Sequence, residues 1–222
     1  ARGFGAEHIA PFARAWEEAG TIPRALWPKL GALGFGGLYV GEAAGGAGLS
    51  RLDATLVFEG LAMACASVAA MLSIHNMCAA MIDAHGAPEL RARLLPGVVA
   101  MDTVLAYCLT EPGAGSDAAA LVTRAEAVTD GYRLTGSKAF ISGGGYADAY
   151  VVMARSGGPG ARGISAFVVE AGTPGLSFGG LERKMGWRSQ ETRQVHFDGC
   201  VVPAGNLLGE EGRGFSYAMA GL

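Results

Sequence analysis

The sequence predicts an α+β multidomain chain. An all-α N-terminal domain spans 1–103, an antiparallel β-barrel or sandwich spans 104–213, and a further helical domain opens at 214–222. Three observations carry this prediction. Up to about residue 103 apolar side chains recur every three to four positions. From Val104 onward they fall in short runs rich in Val, Phe and Tyr, separated by Gly, Pro or Asp. Between two of those runs stands Asp130-Gly131, a hairpin signal.

Taken in order, 7–19 and 24–33 read as helices with Pro23 between them. Gly34-Phe35-Gly36-Gly37 looks superficially like a dinucleotide fingerprint, but no strand-turn-helix pattern with a later acidic residue supports it. The glycine-rich 45–50 stretch is a loop, and helix returns over 52–64. The 67–85 stretch is apolar on nearly every face. Ser73, His75, Asn76 and Asp83 interrupt it, so it reads as a buried core helix with no membrane span. A short helix over 87–95 is expected to end at Pro96. Strands are expected at 104–109, 121–128, 132–141, 150–155, 164–170 and 194–202.

The bulk properties narrow the possible functions. With 222 residues, half of them hydrophobic, the chain can bury a sizeable core. A formal charge of −3 leaves no basic footprint for nucleic acid. Cys65, Cys78, Cys108 and Cys200 are far apart in apolar surroundings and read as buried thiols. His8, His75, His85 and His196 lack ligand spacing, so no metal is expected. No signal peptide is visible, which points to a reducing compartment. The chain begins Ala1-Arg2 and stops at Gly221-Leu222 within a helical pattern, so both ends read as cut.

Two stretches carry the chemistry. In the first, the apolar run Val104 to Leu109 enters Thr110-Glu111-Pro112-Gly113-Ala114-Gly115-Ser116-Asp117. Pro and Gly turn the chain tightly there and leave amide N–H groups bare for polar or anionic ligand atoms. In the second, Phe140-Ile141-Ser142 ends a strand before Gly143-Gly144-Gly145. It offers a ring and a hydroxyl, which suit a flat heteroaromatic ligand.

The run from Tyr107 to Asp117, followed about thirty residues later by Phe140-Ile141-Ser142 and its glycines, resembles the fingerprint of the acyl-CoA dehydrogenases. Further likeness lies in the Gly45–Ser50 loop, in Gly172-Thr173-Pro174-Gly175-Leu176, in Lys184-Met185-Gly186-Trp187 with Ser189 and Thr192, and in the 197–215 stretch. The resemblance covers essentially the whole chain, but at most the first two-thirds of a complete member. It implies FAD as cofactor and α,β-dehydrogenation of a short branched acyl-CoA substrate, isobutyryl-CoA fitting best. Electrons would pass to electron-transferring flavoprotein. It also implies a homotetramer, located in the cytoplasm of a bacterium or the mitochondrial matrix of a eukaryote.

By the same resemblance Tyr107, Cys108, Leu109, Thr110, Gly115, Ser116, Phe140, Ile141 and Ser142 border the flavin, with Ser142 on N5. Ser116 meets the pantetheine side of the substrate, and Ser73 and Met77 lie near the acyl tail. Many relatives carry Trp and Thr where this chain has Phe140 and Ser142, so aromatic and hydroxyl character are kept. The family's catalytic glutamate and its grip on the FAD pyrophosphate belong to a C-terminal helical bundle absent from 1–222. No general base is therefore assigned within this chain. Glu111 reads as a turn residue, Asp117 as a cap of the turn or following backbone, Arg162 as solvated and Trp187 as packing. A same-fold flavin oxidase or monooxygenase, or a non-catalytic CoA- or flavin-binding scaffold, are the alternatives.

Overall fold

A computed structural model describes residues 1–221. Helices α1 (Arg2–His8), α2 (Ala13–Ala19), α3 (Trp27–Gly31), α4 (Arg51–Ala62), α5 (Ala66–His85) and α6 (Pro88–Val99) come first. Strands β1 (Leu105–Cys108), β2 (Arg124–Val128), β3 (Gly131–Ser142), β4 (Ala149–Arg155), β5 (Ile164–Glu170), β6 (Leu176–Phe178), β7 (Thr192–Pro203) and β8 (Leu207–Leu208) follow, and α7 (Gly214–Gly221) comes last.

The early helices are more broken than their periodicity predicts. The expected 7–19 helix is two, α1 and α2, split around Pro11, which has no N–H to continue a helical ladder. The expected 24–33 helix shrinks to a 3₁₀ turn at Arg24–Leu26 followed by α3. α3 stops where Gly31 meets the backbone of Ala100; a Cβ on Gly31 would lie 2.0 Å from that carbonyl oxygen. In α6 the deviation is the opposite: the helix runs through Pro96 to Val99. Leu90, Leu94 and Val98 form a buried i, i+4, i+8 stripe, and its packing outweighs the one backbone bond that Pro96 cannot make.

α4 begins at Ser50 with a reciprocal cap. The Asp53 N–H donates to the Ser50 hydroxyl oxygen, and the Ser50 N–H donates back to the Asp53 carboxylate. α5 is long and apolar enough to span a bilayer, yet 67% of that stretch is buried inside the protein. It is the central post, packed against α4, α6 and β1. Of the polar residues that interrupt it, His75 and Asn76 are fully buried and bonded, while Ser73 and Asp83 are half-buried. Asn76 accepts from the Leu38 N–H and donates to the carbonyls of Phe35 and Leu72. His75 Nε2 lies 3.0 and 3.1 Å from the carbonyls of Gly36 and Val98, and its Nδ1 accepts from the Leu105 N–H at 3.1 Å. One imidazole thus ties the 35–37 turn, the end of α6 and the start of β1 to α5.

The strands form one sheet in the order β6-β7-β3-β2-β4-β5-β8, with β1 beside β4. Most pairs are antiparallel, as expected. β1 and β4 run parallel (Leu105↔Ala149 to Cys108↔Val152), because the long 109–148 connection carries the chain back to the same end. β2 meets β4 only at Arg124↔Arg155, so the β6-β7-β3-β2 half joins the β1-β4-β5-β8 half at that one pair. The two buried clusters each draw on helix and sheet. One joins Trp27 and Leu72 to Tyr150 and Phe167, and the other joins Ile82 and Leu95 to Val168 and Leu208. The four cysteines are buried and free.

Asp130-Gly131 does close the β2–β3 hairpin, with Val128 facing Gly131. The glycine is required by a close approach to β7, since an added Cβ would lie 1.9 Å from the Val202 carbonyl oxygen. Gly131→Ala is therefore expected to destabilise the protein by about 1–3 kcal/mol through backbone displacement. Urea denaturation measures it, and an unchanged midpoint would contradict the contact.

Candidate functional site

A cavity of about 810 Å³ opens between α5, the loop after β1 and the end of β3. Ser73, Ile74 and Met77 come to it from α5; Tyr107, Leu109, Thr110, Gly115 and Ser116 come from β1 and its loop; Phe140, Ile141 and Ser142 come from β3. Ten of the eleven residues singled out in the sequence thus share one cavity. Cys108 does not line it: strand alternation turns this residue into the buried cluster with Tyr150. A second cavity of about 830 Å³ shares Phe58, Ser73, Ile74, Phe140 and Ser142 with the first and reaches Trp187.

The loop after β1 is built from its Pro and Gly residues. Glu111 and Ala114 exchange backbone bonds at 2.9 and 3.1 Å across Pro112-Gly113. Those two bonds engage the N–H groups of Glu111 and Ala114. Among the described residues, Gly113, Gly115 and Ser116 donate to no backbone carbonyl. A Cβ on Gly113 or Gly115 would meet nothing within 4 Å, so the turn presents bare backbone. Asp117 does not cap with its side chain; its carbonyl accepts from the Ala120 N–H instead, because the chain turns there into a 3₁₀ segment.

β3 reaches the cavity through a bulge. Its register against β7 shifts between Lys138 and Ile141, and Phe140 sits at φ +56°, uncommon for an aromatic residue. In a regular strand Lys138 and Phe140 would share a face. The bulge parts them: Lys138 is wholly buried, while Phe140 is 67% exposed at the cavity. Local backbone strain of this kind concentrates at functional sites.

The buried Lys138 is the feature that sequence pattern concealed. Its Nζ donates to Glu111 at 2.8 Å and to the Leu109 carbonyl at 3.0 Å. Glu111 also accepts from the Val122 and Thr123 N–H groups at 2.7 and 2.9 Å. The Ala139 N–H donates to the Thr110 carbonyl at 2.9 Å. These bonds clamp the two cavity-lining segments together. Burial works to raise the Glu111 pKa, but the Lys138 ammonium and the bonds to Lys138, Thr123 and Val122 outweigh it and hold the carboxyl below its ordinary value. Three donors engage this carboxylate, and Glu111 is not among the residues that line the cavity.

Tyr107 carries the converse signal. Its hydroxyl is buried, has no partner among the described residues, and is pushed up by burial. A buried unpaired hydroxyl beside a cavity is a candidate contact for a polar ligand atom. Cys108, pushed up to about 12 by burial against the opposing pull of Lys138, remains an inert thiol. Among the described residues no group of His, Cys, Asp and Glu could hold a metal ion. Tyr39, Phe58, Phe215 and Met219 also line the cavity, contributed by segments whose sequence reads only as loop or helix.

Comparison with known proteins agrees with this geometry. The acyl-CoA dehydrogenase N-terminal domain profile matches residues 1–102, and the middle domain profile matches residues 106–200. The chain is 55% identical over 219 residues to the mitochondrial isobutyryl-CoA dehydrogenase of Bos taurus, covering 99% of this chain and 53% of that protein. It is 52% identical to the corresponding enzyme of Dictyostelium discoideum, again covering 99% and 53%. The chain thus spans about half the length of these curated relatives. The butyryl-CoA dehydrogenase structure from Megasphaera elsdenii superimposes with a TM-score of 0.93 at 39% identity, covering 99% of this chain and 59% of that one. An FAD complex of PigA superimposes at 0.92 with 28% identity, covering 98% and 58%. With both profiles matched in order around a cavity that the same two segments build, the chain belongs to the acyl-CoA dehydrogenase family.

Proposed function

We propose that this chain forms the flavin- and thioester-facing part of an FAD-dependent acyl-CoA dehydrogenase acting on a short branched acyl-CoA, with isobutyryl-CoA the best candidate. One observation carries the reading: the loop at 109–116 and the bulge at 140–142, distant in sequence, are clamped side by side on one cavity. The high identity to two isobutyryl-CoA dehydrogenases supports the choice of substrate.

The residues present fit the cofactor. Bare amides at Gly113, Gly115 and Ser116, the unpaired Tyr107 hydroxyl, an exposed Phe140 ring and the Thr110 and Ser142 hydroxyls suit a planar ring with polar edge atoms. Bound there, FAD supplies the hydride-accepting chemistry of α,β-dehydrogenation. Phe140 would pack on the ring, while the Thr110 and Ser142 hydroxyls would hydrogen-bond its edge and fix its orientation. Ser116 holds the pantetheine side of the substrate, and Ser73 and Met77 bound the acyl tail. Their joint effect is alignment of the α,β carbons, to which the rate is most sensitive. No residue within 1–221 serves as general base. Glu111, the one buried carboxylate at the site, is committed to Lys138, and the family's glutamate belongs to its C-terminal bundle.

Electrons pass to electron-transferring flavoprotein, and the enzyme assembles as a homotetramer. It resides in the mitochondrial matrix of a eukaryote or the cytoplasm of a bacterium. Anaerobic titration of the native-length protein with isobutyryl-CoA is expected to bleach the flavin absorbance. Ser142→Ala is expected to slow that bleaching by about fivefold, the effect of losing one directed bond worth about 1 kcal/mol. Bound flavin that no acyl-CoA bleaches would defeat the reading, and peroxide as the main product in air would assign an oxidase instead.

A further inference from the structure

Arg155, the last residue of β4, stands behind the cavity wall. Its Nε donates to the Leu121 carbonyl at 3.1 Å, and its Nη2 donates to the carbonyls of Ala119 at 2.8 Å and Leu121 at 2.9 Å. Its Nη1 donates to the carbonyls of Gly158 at 2.6 Å and Gly160 at 3.0 Å. All five guanidinium N–H groups are thereby matched by five bonds, and every acceptor is a backbone oxygen. The Arg155 N–H also donates to the Thr123 carbonyl at 2.7 Å, at the single pair that joins the two halves of the sheet.

The wall it holds needs holding. Ser116, Asp117, Ala118 and Ala119 line the cavity, and the chain just before them contains Gly113 and Gly115, where an added Cβ would meet nothing within 4 Å. The local bonds in 117–121 are two backbone contacts within the segment, Ala120 to Asp117 and Leu121 to Ala118. Arg155 connects that segment both to the sheet and to the 156–163 loop. Because all its acceptors are carbonyls, its positive charge meets no carboxylate in these bonds. A fixed charge behind such a wall favours a polyanionic ligand lying along it.

We propose that Arg155 is the positioning residue for the CoA side of the substrate, acting through the 116–121 wall and the 156–163 loop together. This rests on the acyl-CoA reading above. It places recognition of the phosphopantetheine arm on a guanidinium that does not touch the ligand, and it separates that function from the flavin contacts at 109–110 and 140–142.

The test uses Arg155→Lys and Arg155→Met in the native-length, flavin-loaded enzyme. In both variants the KM for acyl-CoA is expected to rise about tenfold, with kcat within about twofold of wild type. The rise should be equal for butyryl-CoA and isobutyryl-CoA, and the flavin spectrum and FAD content should not change. Hydrogen exchange at the Ala120 and Leu121 amides should accelerate while that of 105–110 and 138–142 stays as in wild type. Should Arg155→Met fail to fold, Arg155→Lys decides, since it keeps the charge and cannot make five bonds. An unchanged KM, or a KM that rises only alongside loss of flavin and a lower melting temperature, overturns the proposal. If wild type itself ignores acyl-CoA, the enzymatic reading fails, and the exchange measurement still decides whether Arg155 tethers the wall.

Discussion

Lys138→Met is expected to lower the stability of the protein by about 3–5 kcal/mol, the cost of leaving one partner of a buried ion pair uncompensated. Glu111 is 4% exposed and Lys138 0%, so water cannot take the place of the missing ammonium. The Val122 and Thr123 amides would still donate to the stranded carboxylate, which keeps the loss at the lower end of that range. Urea denaturation at pH 7 measures the effect. Adding Glu111→Leu to Lys138→Met should restore most of the stability, because a matched apolar pair carries no uncompensated charge. It should not restore flavin affinity, since the cross-tie holding Leu109 to β3 stays broken. A Lys138→Met protein within about 1 kcal/mol of wild type would refute the clamp. Acid provides a second check. The folded Glu111 pKa lies below its ordinary 4.5, so its contribution is fully present above that value and is lost as pH falls through the folded pKa.

The clamp also shows where sequence legibility ended. Thr110 and Ser142 could be placed at one site because a proline–glycine turn and a strand-end hydroxyl are local signals, and the resemblance joined them. The helix-to-strand change near 104 was legible for the same reason: a change of period is a property of neighbouring residues. Lys138 was not legible. A charged side chain reads as solvated, and only its pairing with Glu111, 27 residues away in sequence, accounts for its burial. Arg155 was equally silent, because its acceptors are backbone oxygens that no side-chain pattern reports. The helices that departed from expectation did so where backbones touch, at Gly31, or where a buried stripe carried α6 past Pro96. Local motifs and the resemblance they carry named residues that share one cavity, and tertiary approach decided what holds them there.

Between pH 7.5 and pH 5 the protein is expected to lose about 2 kcal/mol of stability through His75 alone. Complete burial drives the His75 pKa down to about 4, against the opposing pull of the Gly36 and Val98 carbonyls and of Asp148. With Nδ1 accepting from the Leu105 N–H, the imidazole is neutral and carries its proton on Nε2. In the unfolded chain the group titrates near 6.5, so below that pH the unfolded state binds a proton that the folded state refuses. Stability contributed by His75 is therefore complete above about 6.5, declines as pH falls, and levels off below about 4. His85, whose pKa burial also lowers, acts in the same direction but is common to the two proteins compared below. The carboxylates held low, Glu111 and Glu17 (the latter at about 2, where bonds from Ser189, Ser67 and Arg188 overcome a burial that acts to raise it), lose their contributions only below about 4.5. His75→Gln keeps an amide that can both donate and accept but does not titrate. Stability measured by denaturant at intervals between pH 7.5 and pH 5 should fall less steeply in that variant by about 2 kcal/mol. Parallel curves for the two proteins would mean that the imidazole is not the neutral knot joining α5, α6 and β1, and that the floor of the cavity is held by something else.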